Sequence, residues 1–366
     1  MAQATFTPSP TATATATPRP TATATPRPTA TTAPVVIPTN TPVPPPSGPA
    51  VYIGSYDVTL YALDAATGTV RWRFPTGGPI FSSPALVSGV VYVGSWDNNV
   101  YALNATDGSV LWKYATGAQV YSSPAVVNGV VYVGSWDDSL YALNASDGSL
   151  IWRFSAGGAF TSSPTVANGL VYIGCDDNHV YAVNAQTGSQ QWSFQTGDKD
   201  YAPPVVYGGN VYVSSRDSFV YALNAASGSL VWKYQTGSSV WGAPTVAGNV
   251  VYVGSDDHYF YALDAGSGAV IWRYLTGGGF SSATIGNGLV YVGDTDHNLY
   301  AINPSNGSVN WTFTAQGAVV SSPVISNGML FVGSDDSNVY AVNPYSGALI
   351  WQYQTGGAVH STAVVG

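Results

Sequence analysis

Aspartate is the residue type best placed to do chemistry in this chain, and it recurs on a fixed spacing as Asp57, Asp97, Asp137, Asp177, Asp217, Asp257, Asp296 and Asp336. Carboxylates in such numbers could ligate a hard cation or carry protons. A cation site, however, needs several oxygen ligands converging on one point, and these are spread evenly along the chain. An Asp in a loop commonly caps its own turn by accepting backbone N–H bonds, and eightfold repetition predicts that structural role. His179, His258, His297 and His360 show no ligand spacing and read as isolated loop residues. Cys175, at a strand end, has no second cysteine to pair with. The sequence holds no Ser-His-Asp order, Gly-rich phosphate loop or paired-carboxylate site. No catalytic residue, cofactor or metal is expected.

Aromatic side chains carry a different chemistry, that of binding. At one repeat position stand Phe81, Tyr121, Thr161, Tyr201, Trp241, Phe280, Val320 and His360; beside the recurring aspartates stand Trp96, Trp136 and Arg216. Such side chains suit apolar anchors, sugars or a Pro-rich strand, or they simply plug a channel. Asp198-Lys199-Asp200 breaks the pattern by placing charge where other repeats carry small or neutral residues.

The elements that must hold these residues are strands. From residue 51 the chain repeats every 40 residues: Trp72, Trp112, Trp152, Trp192, Trp232, Trp272, Trp311 and Trp351 mark one position, and Tyr52 to Phe331 another, with a single one-residue deletion near residue 280. In the unit that opens at Ser122, SSPAVV is followed by an Asn128-Gly129 turn and then VVYVGS. Asn-Gly between two alternating apolar runs is a strong hairpin signal, and two further strands complete the unit. A period near 40 with four strands per unit is the signature of a propeller. The fold is therefore expected to be all-β, an eight-bladed β-propeller of four-stranded antiparallel blades over 51–366. The array begins with a second strand, VYIGS, and ends with a first strand, STAVVG, so residues 361–365 are expected to complete the blade opened by residues 51–74.

Strand order sorts the loops onto two faces. The Asn-Gly turns and the turns before each fourth strand share one, which is nearly identical in every repeat. The loops holding Trp96, Trp136 and Arg216 share the other with the inner aromatic series, and that face varies. Variation on one rim of a repeated scaffold points to that rim as the binding site.

Each unit also carries Ala-x-Asp/Asn-x-x-x-Gly-x-x-x-Trp, as in ALDAATGTVRW at 62–72, ALNATDGSVLW at 102–112 and ALNASDGSLIW at 142–152. The Gly suits a turn with positive φ, and the indole N–H needs a partner when buried. This pattern resembles the tryptophan-docking motif of the quinoprotein, pyrroloquinoline quinone-like propellers, and the resemblance covers 51–366. It implies that the Trp of one blade locks against the next. Members that bind the quinone carry a Ca²⁺ site with a Glu and often an adjacent Cys pair; this chain has no Glu and one Cys. It is also similar to the non-catalytic propellers of outer-membrane assembly machinery, without their lipid-bearing N-terminal Cys.

Residues 1–50 are built from Thr, Ala and Pro, with TATATPRP at 13–20 and again at 21–28. Such a segment is expected to be an extended, polyproline-like linker, with O-glycosylation as an option. Phe6 and the run Val35-Val36-Ile37 are the candidates for docking on a neighbour, the latter by adding a strand to a sheet edge. The N-terminus lacks the charged and apolar regions of a signal peptide. A net charge of −9 disfavours nucleic acid, since polyanion binding needs a basic face, and no apolar run is long enough to span a membrane. N-glycosylation sequons stand at Asn104, Asn144, Asn306 and Asn310. The expected function is a non-catalytic extracellular or cell-surface module for protein interaction or structural assembly, a filament or surface-layer subunit with the tail as connector. A quinone-dependent oxidoreductase and a carbohydrate-binding propeller are the alternatives.

Overall fold

The computed structural model describes residues 48–366; the candidate docking residues Phe6, Val35, Val36 and Ile37 lie outside them. Eight separate sheets of four antiparallel strands follow one another around a ring. Blade 2 is representative, with strands Ala85–Val87, Val90–Gly94, Asn99–Asn104 and Val110–Ala115 from the innermost outward. The two middle strands are apolar and buried on both faces, because each blade is sandwiched between two others. The outermost strand alternates and buries its Trp.

The innermost strands are only two or three residues long, shorter than the sequence pattern suggests. In blade 3 the SSP segment lies before the strand, because Pro124 has no N–H for a ladder. Ser122 Oγ accepts the Gly134 N–H at 3.0 Å in place of a backbone partner. The same Ser-to-Gly bond recurs at Ser82 and Ser321.

The ring closes as expected from the termini, through a shorter pairing. Blade 1 takes its outer three strands, Ala50–Gly54, Thr59–Asp64 and Val70–Pro75, from the start of the array and its innermost strand, Val364–Val365, from the end. Val51 pairs with Val365 and Tyr52 with Val364, and Ala50 and Gly366 exchange backbone bonds of 2.8 and 3.1 Å.

The core lies in the seams between blades. One apolar cluster joins Tyr92, Val100 and Trp112 of blade 2 to Val131, Tyr141 and Leu143 of blade 3. Every docking Trp donates its indole N–H across a seam: Trp112 to Ala145 O at 2.9 Å, Trp152 to Ala185 O at 3.0 Å, and Trp351 to Ala65 O at 3.0 Å across the closure. The motif glycine has a second job beyond its turn. At Gly148, φ is +74°, and a Cβ would lie 2.6 Å from Trp112 Cε3, so the bare backbone is the bed on which the preceding blade's indole lies.

The deletion near residue 280 has a structural consequence. Six seams are filled by Ile80, Val120, Phe160, Val240, Val319 and Val359, all buried. With one residue fewer, Phe280 takes that place, packing on Phe260 with its Cβ against Gly254. Phe280 therefore fills a seam and only borders the rim where it was expected to stand. Cys175 ends a strand and is buried, its thiol donating to Gly158 O; burial pushes that thiol far above its ordinary range.

Candidate functional site at the channel mouth

A cavity of about 630 Å³ opens at the channel mouth on the variable face. All eight members of the inner series border it, and Trp136 and Asp256 reach in from neighbouring loops. The strands fix these positions because each inner residue directly precedes the Ser, or its equivalent, that stands three residues ahead of the innermost strand.

The mouth is not uniform. Around blades 1 to 3 it is aromatic: Phe81 stacks on Trp96 at 4.4 Å and on Tyr121 at 5.0 Å, Tyr56 meets Phe81 at 4.1 Å, and Trp96 meets Trp136 at 5.5 Å. Around blades 4 to 6 it is polar and charged. Tyr201 and Trp241 stack with an interplanar angle of 7°, and the Arg216 guanidinium lies 4.6 Å from the Trp241 ring. Asp176 accepts from Lys199 Nζ at 3.2 Å and from Thr161 Oγ1 at 2.6 Å, while Asp256 accepts the Trp241 indole N–H at 2.7 Å. Trp136 and Trp241 are 39% and 45% exposed, so two indoles face solvent across the opening.

His360 closes the aromatic arc. Its Nδ1 meets the Tyr56 hydroxyl at 2.7 Å, and its Nε2 meets an Asp335 carboxylate oxygen. Burial raises the Tyr56 phenol well above its ordinary value, with Tyr121 and Asp335 adding to the effect. The phenol thus stays protonated, and its bond to His360 holds the Tyr56 and His360 rings in place.

A scan of family models matches outer membrane protein assembly factor BamB over residues 21–125, 116–203, 200–282 and 261–365. The chain belongs to the BamB family of PQQ-like repeat propellers. Solved structures with the same fold include BamB from Moraxella catarrhalis (17% identity, TM-score 0.69, covering 77% of this chain and 90% of that one). The computationally designed Ika8 protein is similar too, at 15% identity and TM-score 0.69, covering 78% of this chain and 96% of that one. So is quinohemoprotein alcohol dehydrogenase from Comamonas testosteroni, at 16% identity and TM-score 0.68, covering 77% of this chain and 68% of that one. No curated protein gives a significant match.

Within this BamB-family propeller the aspartate series does more than cap turns. Asp97 Oδ1 accepts the Asn99 N–H at 3.0 Å, as expected for a cap, while Oδ2 accepts the Tyr101 hydroxyl at 2.7 Å and the Gly77 N–H of the preceding blade at 2.7 Å. Burial works to raise the Asp97 carboxyl, but the Tyr101 phenol and the Gly77 and Asn99 donors together hold it below the usual range. Equivalent latches run from Gly117 to Asp137, and from Gly356 to Asp57 across the closure. The latch is invisible in sequence because its donor is a backbone amide. Blade 7 departs: Asp294 caps this turn instead, accepting from Asp296 N and Asn298 N.

Trp96 and Arg216 are half-buried; their flat groups lie against inner-series rings, and Trp96 Nε1 and Arg216 Nε are buried without partners among the described residues. His360 is likewise a bridge and not an isolated loop residue. Tyr56 and Asp335 were missed, and their one signal was that they occupy the same repeat position as Trp96. A quinone with its Ca²⁺ does not fit these residues: the chain has no Glu, Cys175 is sealed in a seam, and no group of three His, Cys or Asp that could hold a metal occurs among the described residues. No helix among them is long and apolar enough to cross a membrane.

Proposed function

We propose that this chain is a non-catalytic, extracellular or cell-surface propeller that holds a protein partner at its channel mouth, with the N-terminal tail connecting copies into a surface assembly. The observation that carries the reading is the pair of exposed indoles, Trp136 and Trp241, facing a cavity of about 630 Å³ on the face that differs from blade to blade. Aromatic residues with a polar tip are what extended peptides meet in recognition grooves. Carboxylates at Asp176 and Asp256 already saturate their neighbours, which suits positioning more than proton transfer.

The test is a peptide array of Pro- and aromatic-rich segments, run beside a glycan array, with the full-length protein and its Trp136→Ala/Trp241→Ala variant. Peptide binding at least about tenfold weaker in the variant is the expected result. Signal on glycans alone would favour the carbohydrate reading. Dye reduction with an alcohol or sugar after reconstitution with pyrroloquinoline quinone and Ca²⁺ would overturn the non-catalytic one. The connector role requires that removing residues 1–47 abolishes assembly while leaving a folded monomer.

A further inference from the structure

Among the described residues, eight outermost strands leave eight rows of backbone N–H and C=O groups with no strand beyond them. Such edges invite another chain, and Lys or Arg on the edge is a common guard against it. Five of them carry that guard one residue after the docking Trp, as Arg73, Lys113, Arg153, Lys233 and Arg273. Of the other three, the strand Gln190–Gln195 opens with two glutamines, and Val309–Thr314 carries Asn310 before its Trp. The remaining strand, Leu349–Gln354 of blade 8, has no charge, and it presents Leu349 and Ile350 at 48% and 44% exposure beside Tyr345 at 69%. The Arg73 guanidinium, which reaches this strand from blade 1, donates to the Tyr353 hydroxyl at 2.6 Å.

The tail sequence carries a matching pattern. From Pro8 to Pro44 every proline stands at an even position, and the odd positions from Thr5 to Val43 hold Thr, Val, Ile, Arg, Ser and one Ala. A period of two has no meaning in a three-residue polyproline turn, but it is the period of a strand. In an extended strand the N–H and C=O of alternate residues face the same edge. One edge of this segment would therefore keep every donor, and the other would be interrupted by proline throughout. Such a strand adds to one edge and blocks further addition.

We infer that residues 35–43 of one copy pair, through their odd-numbered residues, with the outermost strand Leu349–Gln354 of a second copy. Val35, Ile37 and Val43 supply the apolar side chains that strand lacks a partner for. The inference rests on the connector reading of the tail and names its seat.

The experiment measures self-association of the full chain by light scattering across concentration. Ile37→Pro removes a donor on the pairing edge and Val36→Pro one on the blocked edge. Gln352→Arg installs the guard that sister blades already carry, so the fold tolerates it. Ile37→Pro and Gln352→Arg are expected to weaken association at least about tenfold, and Val36→Pro less than about twofold. Equal effects of the two prolines, or wild-type association in Gln352→Arg, overturn the edge pairing; the connector reading then survives if removal of residues 1–47 still abolishes association. A full-length chain that stays monomeric, or assembly without residues 1–47, overturns both.

Discussion

Asp200 is fully buried, at the seam position that holds Ile80, Val120, Phe160 or Val240 elsewhere. Its Oδ2 accepts the Thr196 hydroxyl at 2.8 Å, and its Oδ1 has no partner among the described residues. Burial pushes this carboxyl up to about 8 from an ordinary value of 3.8. The folded chain keeps a proton that the unfolded chain has already lost, so unfolding releases one. The contribution of Asp200 to stability is then most favourable below about pH 4, falls as the pH rises, and levels off above about pH 8. Asp200→Val should remove this slope, adding about 1–3 kcal/mol at about pH 8.5 and changing little at about pH 4. Denaturant titrations at the two pH values read it directly, and an undiminished slope in the variant would assign the titration to another group.

At the scale of the blade, stability resides in seams. Trp152 packs its indole in the cluster shared by blades 3 and 4 and bonds to Ala185 O, so Trp152→Ala should cost about 3–5 kcal/mol. A loss under about 1 kcal/mol by denaturant titration would mean that the indole is not docked. The docking residues were legible because a forty-residue period repeats each contact eight times, so Trp152 and the glycine turns stand out against varying neighbours. The latch from Gly77 to Asp97 was not, since one partner is main chain. That Phe280 fills a seam as well as bordering the mouth was not legible for a related reason: the deletion is visible in the sequence, but whether the chain drops the seam residue or the rim residue is decided by packing. The inner series was legible as a ring bordering the mouth. Its division into an aromatic arc and a charged arc was not, because it depends on Tyr56, Trp96, Asp176 and Arg216 reaching inward from a second loop.

At the scale of the molecule, one short pairing holds the ring shut. Val364 and Val365 pack into the clusters on either side of blade 1, and their strand covers the inner edge of Ala50–Gly54. Deleting residues 364–366 should cost about 2–4 kcal/mol from lost burial and hydrogen bonds and expose a strand edge. A lower melting temperature with new light scattering is the expected outcome; an unchanged melt would place closure in the Trp351 and Asp57 contacts instead.

The root of the tail has a mechanical consequence. Pro49 O accepts bonds from the Arg71 guanidinium at 2.9 Å and the Ala65 amide at 3.1 Å, and the chain then enters a strand flanked on both sides, by Thr59–Asp64 and by Val364–Val365. A pull on the tail therefore loads that strand lengthwise, so its bonds to both neighbours must break together and cannot peel off in turn. Rupture under tension is governed by the unfolding rate, and a strand held on both sides in this way resists a force applied at its N-terminal end.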